Sequence, residues 1–145
     1  MKKQKISLLA AKSFILLSAF SLVSVSLMAF ASPQAVMDLV QIKLENTDAY
    51  SSIRGVYGGV GMALVISLVY LAVKAPRKGL QFLMLLWGFY ALSRTITIFS
   101  EGALGDFGTQ WLIIESVFFL IAATLFFATK NSVEKQLKLD LSMSV

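Results

Sequence analysis

Residues 111–128 read WLIIESVFFLIAATLFFA, an unbroken apolar run in which Glu115 is the only ionisable side chain. An α-helix rises about 1.5 Å per residue and needs roughly 20 apolar residues to cross the ~30 Å hydrocarbon layer of a bilayer. Residues 111–128 come close to that length, and three other runs match them: Phe14 to Ala31, Val56 to Val73 and Leu80 to Phe99. None has the polar outer face that a helix of a soluble domain needs. The runs predict an all-α fold, a four-helix transmembrane bundle forming one integral membrane domain over residues 1–145.

Composition agrees. The chain is 57% hydrophobic with a mean hydropathy of +0.78, too apolar for an ordinary soluble domain of 145 residues. It has no cysteine and no histidine, which removes disulfides, thiolate chemistry, a histidine general base and the usual zinc, haem and iron–sulfur ligand sets. No cofactor and no metal site is expected. The net charge of +5 does not point to nucleic acid, because the basic residues sit at the ends of the apolar runs and form no continuous patch.

Their distribution predicts topology instead. Lys2, Lys3, Lys5 and Lys12 precede the first run, Lys74, Arg77 and Lys78 fill the connection between the second and third, and Lys130, Lys135 and Lys138 follow the fourth. The other connections carry Asp38, Glu45, Asp48, Glu101 and Asp106 against only Lys43 and Arg54. Short basic loops stay cytoplasmic, so both termini, the 74–78 loop and a polar tail over 131–145 are expected in the cytoplasm. The basic start and Ala29-Phe30-Ala31 also resemble a secretory signal with its cleavage site. The length of the run and its place in a four-helix bundle favour retention.

Ser32-Pro33 reads as a helix start, and Val36, Val40 and Leu44 recur every four residues beyond it. This predicts a short amphipathic helix between spans one and two, lying on the outer membrane surface or folded as a cap over the helix ends. Asn46-Thr47-Asp48 marks the next helix start, Ala75-Pro76 ends the second span, and Gly102, Gly105 and Gly108 break the chain after the third.

Two features stand out. Gly55, Gly59, Ala63 and Ser67 form a four-residue stripe on the second span, flanked by Gly58 and Gly61, and small residues at this spacing predict close helix packing. Arg94 and Glu115 are charges inside spans, which are costly and face a partner or a wet cavity. Counted from Lys78 and Lys130, they lie sixteen and fifteen residues into the membrane, about 24 Å and 22 Å along their helices, and hence at one level in the outer half. Trp87, Tyr90, Arg94, Thr97 and Glu101 share one face of the third span, while Arg54 and Tyr57 enter near that level from the second. The expected arrangement is one polar nest of Arg54, Tyr57, Tyr90, Arg94, Glu101 and Glu115, open to the outside. It serves either as a lock between helices or as a pocket for an anion, a lipid headgroup or a small polar solute.

No spacing supplies a positioned nucleophile, so an enzyme is not expected. The cytoplasmic halves of the spans lack the polar lining of a channel. What remains is a non-enzymatic accessory or binding component, with a carrier of a small solute or lipid as the alternative. Its expected partners are the lipid bilayer and another membrane protein or a second copy of the chain.

Ile53-Arg54-Gly55-Val56-Tyr57-Gly58-Gly59, an apolar span, a short basic loop, a third span ending in Ser93-Arg94 and then Glu101-Gly102 together resemble a bacterial family of four-span membrane proteins, catalogued as domain of unknown function 4345. The likeness covers roughly Leu16 to Phe127, nearly every residue expected in the membrane. The family's usual acidic residue early in the fourth helix is matched by Glu115, and Glu101 stands where an aspartate is common. The resemblance implies a multi-pass protein of the bacterial inner membrane with its first span retained. It implies no activity.

Overall fold

The computed structural model describes the backbone of residues 2–143 and the side chains of residues 5–129. The fold is all-α. Helix α1 is Lys2–Ala31, α2 Pro33–Asp38 and α3 Thr47–Ile53; a π-helical segment, Arg54–Val60, joins α3 to α4, Gly61–Lys74; α5 is Pro76–Ser100 and α6 Asp106–Met143. Four stretches are long and apolar enough to cross a membrane: Lys5–Ala31, Thr47–Lys74, Pro76–Ser100 and Asp106–Thr129. Each is longer than its apolar run, because the helices continue through polar ends that hydropathy does not count. Gly108 therefore lies inside α6 and does not break the chain. Over 131–143 the expected tail continues α6 as helix; residues 144 and 145, and the side chains of Lys2, Lys3, Lys130, Lys135 and Lys138, lie outside the described residues.

Proline sets two boundaries. Ser32 and Ala75 precede Pro33 and Pro76, and their φ/ψ of −146°/94°, extended, and −150°/64° both lie outside the helical region that proline disfavours in its predecessor. Within the spans, hydroxyls bond their own helix: Ser21, Ser24 and Ser26 donate to the carbonyls of Leu17, Phe20 and Leu22, and Thr124 donates to that of Leu120. This satisfies them where water is absent.

The chain forms two compact units, Met1–Ile15 with Ala72–Val145, and Leu16–Leu71; the boundaries fall inside α1 and α4. The first is built on antiparallel α5 and α6. Its core is an aromatic stack: Phe118 of α6 meets Trp87 of α5 edge-on at 5.1 Å and Phe14 of α1 at 5.4 Å. Gly88 admits Phe119, whose ring would lie 3.3 Å from any Cβ placed there. At the other end of the pair the Arg77 guanidinium covers the Phe126 ring at 4.9 Å.

In the second unit, Ala29, Val36 and Met37 form a small buried core with Val25, Leu44 and Ile53 around it. The stripe expected to make α2 amphipathic does not run through: the helix stops at Asp38 and Val40 is exposed. The stop is a six-to-one bond from Ile42 N–H to the Met37 carbonyl and a five-to-two bond from Gln41 N–H to Asp38, with Gln41 left-handed at φ 58°. Gln34 holds the turn closed. Its amide donates to Asp38 and to the Ile42 carbonyl, and its Oε1 accepts from Leu44 N–H. Val36 and Met37 are therefore folded onto Ala29, as a cap over helix ends would be. Asn46 caps α3 as expected, accepting from Ala49 N–H at 2.8 Å.

The glycine stripe does not face α1. Gly55, Gly59, Ala63 and Ser67 are all exposed, and a Cβ on Gly55 or Gly59 would meet nothing within 4 Å. The close approaches are at the flanking glycines: a Cβ on Gly58 would sit 3.0 Å from the Phe30 ring, and one on Gly61 would collide with the Ser26 hydroxyl. Gly61 lies two residues from both Gly59 and Ala63, about 200° around the helix, so the side that meets α1 is the one opposite the stripe.

Candidate functional site

The face of α5 that buries Trp87 carries Arg94 two turns further along, and the face of α6 that presents Phe118 carries Glu115 one turn earlier. Measured from the aromatic stack, those steps are about 10.5 Å on α5 and 4.5 Å on α6, an offset of about 6 Å. Side chains lean toward their own helix N-terminus. In antiparallel helices this leans Arg94 back toward the stack and Glu115 away from it, and the long arginine closes the gap.

The two meet in a fork. Arg94 Nε donates to Glu115 Oε2 at 2.8 Å and Nη2 donates to Oε1 at 2.9 Å, the planar bidentate geometry that suits guanidinium to carboxylate. The Glu115 side chain is 3% exposed and that of Arg94 24%. Both carboxylate oxygens are thus taken, whereas the third guanidinium nitrogen, Nη1, has no acceptor among the described residues. The pair is neutral as a whole.

Of the other residues expected in the nest, Tyr90 lies one turn below Arg94, with its ring 6.0 Å from that of Trp87. Glu101 has left the helix: its N–H closes α5 on the Thr97 carbonyl, and the residue is exposed. Arg54 and Tyr57 belong to the other unit. There the Arg54 Nε donates at 3.2 Å to the carbonyl of Phe30, in the last turn of α1, where a cation also meets the negative end of the helix dipole. Tyr57 lies on the exposed side of the π-helical segment. Thr95 and Thr97 bond to the carbonyls of Ala91 and Ser93 and contribute no hydroxyl hydrogen to the site.

Sequence reasoning missed an open groove along α5, about 430 Å³, lined by Phe82, Leu85, Leu86, Phe89, Tyr90 and Ser93. The three-and-four spacing of those six could have revealed it, but the same spacing describes any face of a membrane helix. The π-helical segment was missed as well. Its sequence, RGVYGGV, has three glycines in seven residues, and that was the one available signal.

No curated protein and no solved structure matches the chain. A family model does match residues 10–126, an interval that holds the ion pair, the groove and the π-helical segment. The chain therefore belongs to the family described as domain of unknown function DUF4345.

Proposed function

We propose that this is a non-enzymatic binding or accessory component of the bacterial inner membrane, multi-pass with both termini in the cytoplasm, whose site is the Arg94–Glu115 pair beneath the outer face. The observation that carries the reading is the asymmetry of the pair. Glu115 is sealed and doubly hydrogen-bonded, while Arg94 keeps an exposed edge and an unclaimed nitrogen among the described residues. Stability alone is weak grounds for such a pair, since well-packed apolar residues of similar volume do as well or better in a low-dielectric interior. Charges inside spans are rare and mark ligand or partner sites. The lysine and arginine clusters support the orientation.

Native mass spectrometry of gently extracted protein tests this. The wild type is expected to carry a bound mass, from lipid, solute or subunit, and Glu115→Gln to remain folded by circular dichroism without it. A wild type with no adduct, or an adduct equally retained by Glu115→Gln, overturns the reading.

A further inference from the structure

Residues 32–46 join the first two spans and therefore lie at the membrane boundary. The turn they form holds an open pocket of about 500 Å³, whose polar lining is Gln34, Asp38, Gln41, Lys43 and Tyr50, all in the second unit. Gln34 is spent on structure: its amide donates to Asp38 Oδ1 at 2.7 Å and to the Ile42 carbonyl at 2.9 Å, and its Oε1 accepts from Leu44 N–H at 2.9 Å. The turn is fixed without the other four. Asp38 keeps its second oxygen, and the Gln41 amide, the Lys43 ammonium and the Tyr50 hydroxyl have no side-chain hydrogen-bond partner among the described residues. Asp38 and Lys43 line one pocket yet form no ion pair with each other.

Two unpaired opposite charges on one pocket define what fits it. A simple anion meets Asp38 as a like charge, and a simple cation meets Lys43 in the same way. A zwitterion meets neither penalty. Its cation has to donate a hydrogen bond to the free Asp38 oxygen, which a primary ammonium does and a quaternary ammonium, with no N–H, does not. The source follows from the same turn. Leu39, Val40 and Ile42 are exposed, and at a membrane boundary such side chains leave water by entering the acyl-chain margin. That sets the pocket at the level of lipid headgroups, where a tyrosine such as Tyr50 is at home.

We propose that this pocket binds the zwitterionic headgroup of a phospholipid with a primary ammonium, the chemistry of phosphatidylethanolamine: the ammonium donates to Asp38, and the phosphate accepts from Lys43 and Tyr50. The site is independent of the Arg94–Glu115 pair and stands or falls without it.

Hydrogen exchange of the full chain in nanodiscs tests this. Binding suppresses opening of the turn by the factor 1 + [L]/Kd, so exchange at the bonded amides of Gln41, Ile42 and Leu44 is expected to slow about tenfold, and then level off, once phosphatidylethanolamine mixed into phosphatidylcholine stands about ninefold above Kd. Asp38→Asn keeps an acceptor for Gln34 but removes the charge, and Lys43→Gln removes the other charge. Each is expected to abolish the slowing, whereas Lys78→Gln, in the 74–78 loop, is expected to keep it. If Asp38→Asn loosens the turn in phosphatidylcholine alone, Lys43→Gln, which touches no hydrogen bond of the turn, decides. Phosphatidylglycerol, an anion without an ammonium, is expected to have no such effect, and neither is soluble O-phosphoethanolamine added to phosphatidylcholine nanodiscs. Exchange indifferent to phosphatidylethanolamine, slowing that survives Lys43→Gln, or equal slowing by phosphatidylglycerol overturns the proposal. Slowing by the soluble compound overturns the lipid as the source.

Discussion

Glu115→Leu isolates what the ion pair does for the fold. The substitution removes both acceptors of the fork, at 2.8 and 2.9 Å, and leaves a guanidinium beside a new apolar side chain. Breaking a buried pair by removing one partner costs about 3–5 kcal/mol. The Arg94 side chain is already 24% exposed and can swing part of its charge toward the interface, which places the expected loss at the lower end, about 3 kcal/mol. That corresponds to roughly two decades in the folding equilibrium. Removing the stranded charge as well, in Arg94→Met/Glu115→Leu, is expected to recover most of the loss, because two apolar side chains of similar volume pack where the fork was. The assay is reversible unfolding in mixed micelles, followed by tryptophan fluorescence, with the four chains of the double-mutant cycle compared under one condition. The reasoning is refuted if Glu115→Leu lies within about 0.5 kcal/mol of the wild type. A double variant no more stable than Glu115→Leu alone refutes it equally, since the loss would then not arise from a stranded charge.

Two adjacent glycines should respond in opposite directions. Gly58→Ala pushes a methyl to 3.0 Å from the Phe30 ring and is expected to cost about 1–3 kcal/mol, whereas Gly59→Ala meets open space and is expected to be neutral or to stabilise by up to about 1 kcal/mol, both read from the same unfolding assay. Asn46→Ala removes the acceptor of the Ala49 N–H and is expected to cost about 1 kcal/mol, with Asn46→Asp retaining most of it. The absence of cysteine makes topology directly measurable. In intact cells a membrane-impermeant maleimide is expected to label Lys43→Cys and Ala103→Cys, and to reach Lys78→Cys only after permeabilisation; labelling of Lys78→Cys in intact cells reverses the orientation.

The helices were legible because membrane is a simple solvent. A run such as 111–128 has few alternatives to helix when every backbone group must be satisfied within the segment. The level shared by Arg94 and Glu115 was legible too, since 1.5 Å per residue converts sequence offsets into depth. Direction was harder. Arg54 lies near the same level by counting, yet it donates to the Phe30 carbonyl, a choice that depends on how α3 leaves the turn closed by Gln34. The 36-40-44 pattern in α2 failed for a related reason, because helical spacing says nothing about where a helix ends. The left-handed residue that ends this one is Gln41, not the glycine that sequence reasoning looks for.

The segment that carries much of the resemblance, Arg54 to Gly59, is therefore accounted for by construction. Arg54 closes the end of α1, and Gly58 seats the Phe30 ring. Neither role requires a ligand. The Arg94–Glu115 pair is different, because two apolar side chains of similar volume often pack as well as a buried pair, and under the proposed reading it is the exposed edge of the arginine that a ligand or partner uses. The segment that carries the resemblance and the proposed site thus lie on different helices of this chain. The double variant Arg94→Met/Glu115→Leu separates them: it is expected to keep the fold and to lose the bound mass proposed for the pair.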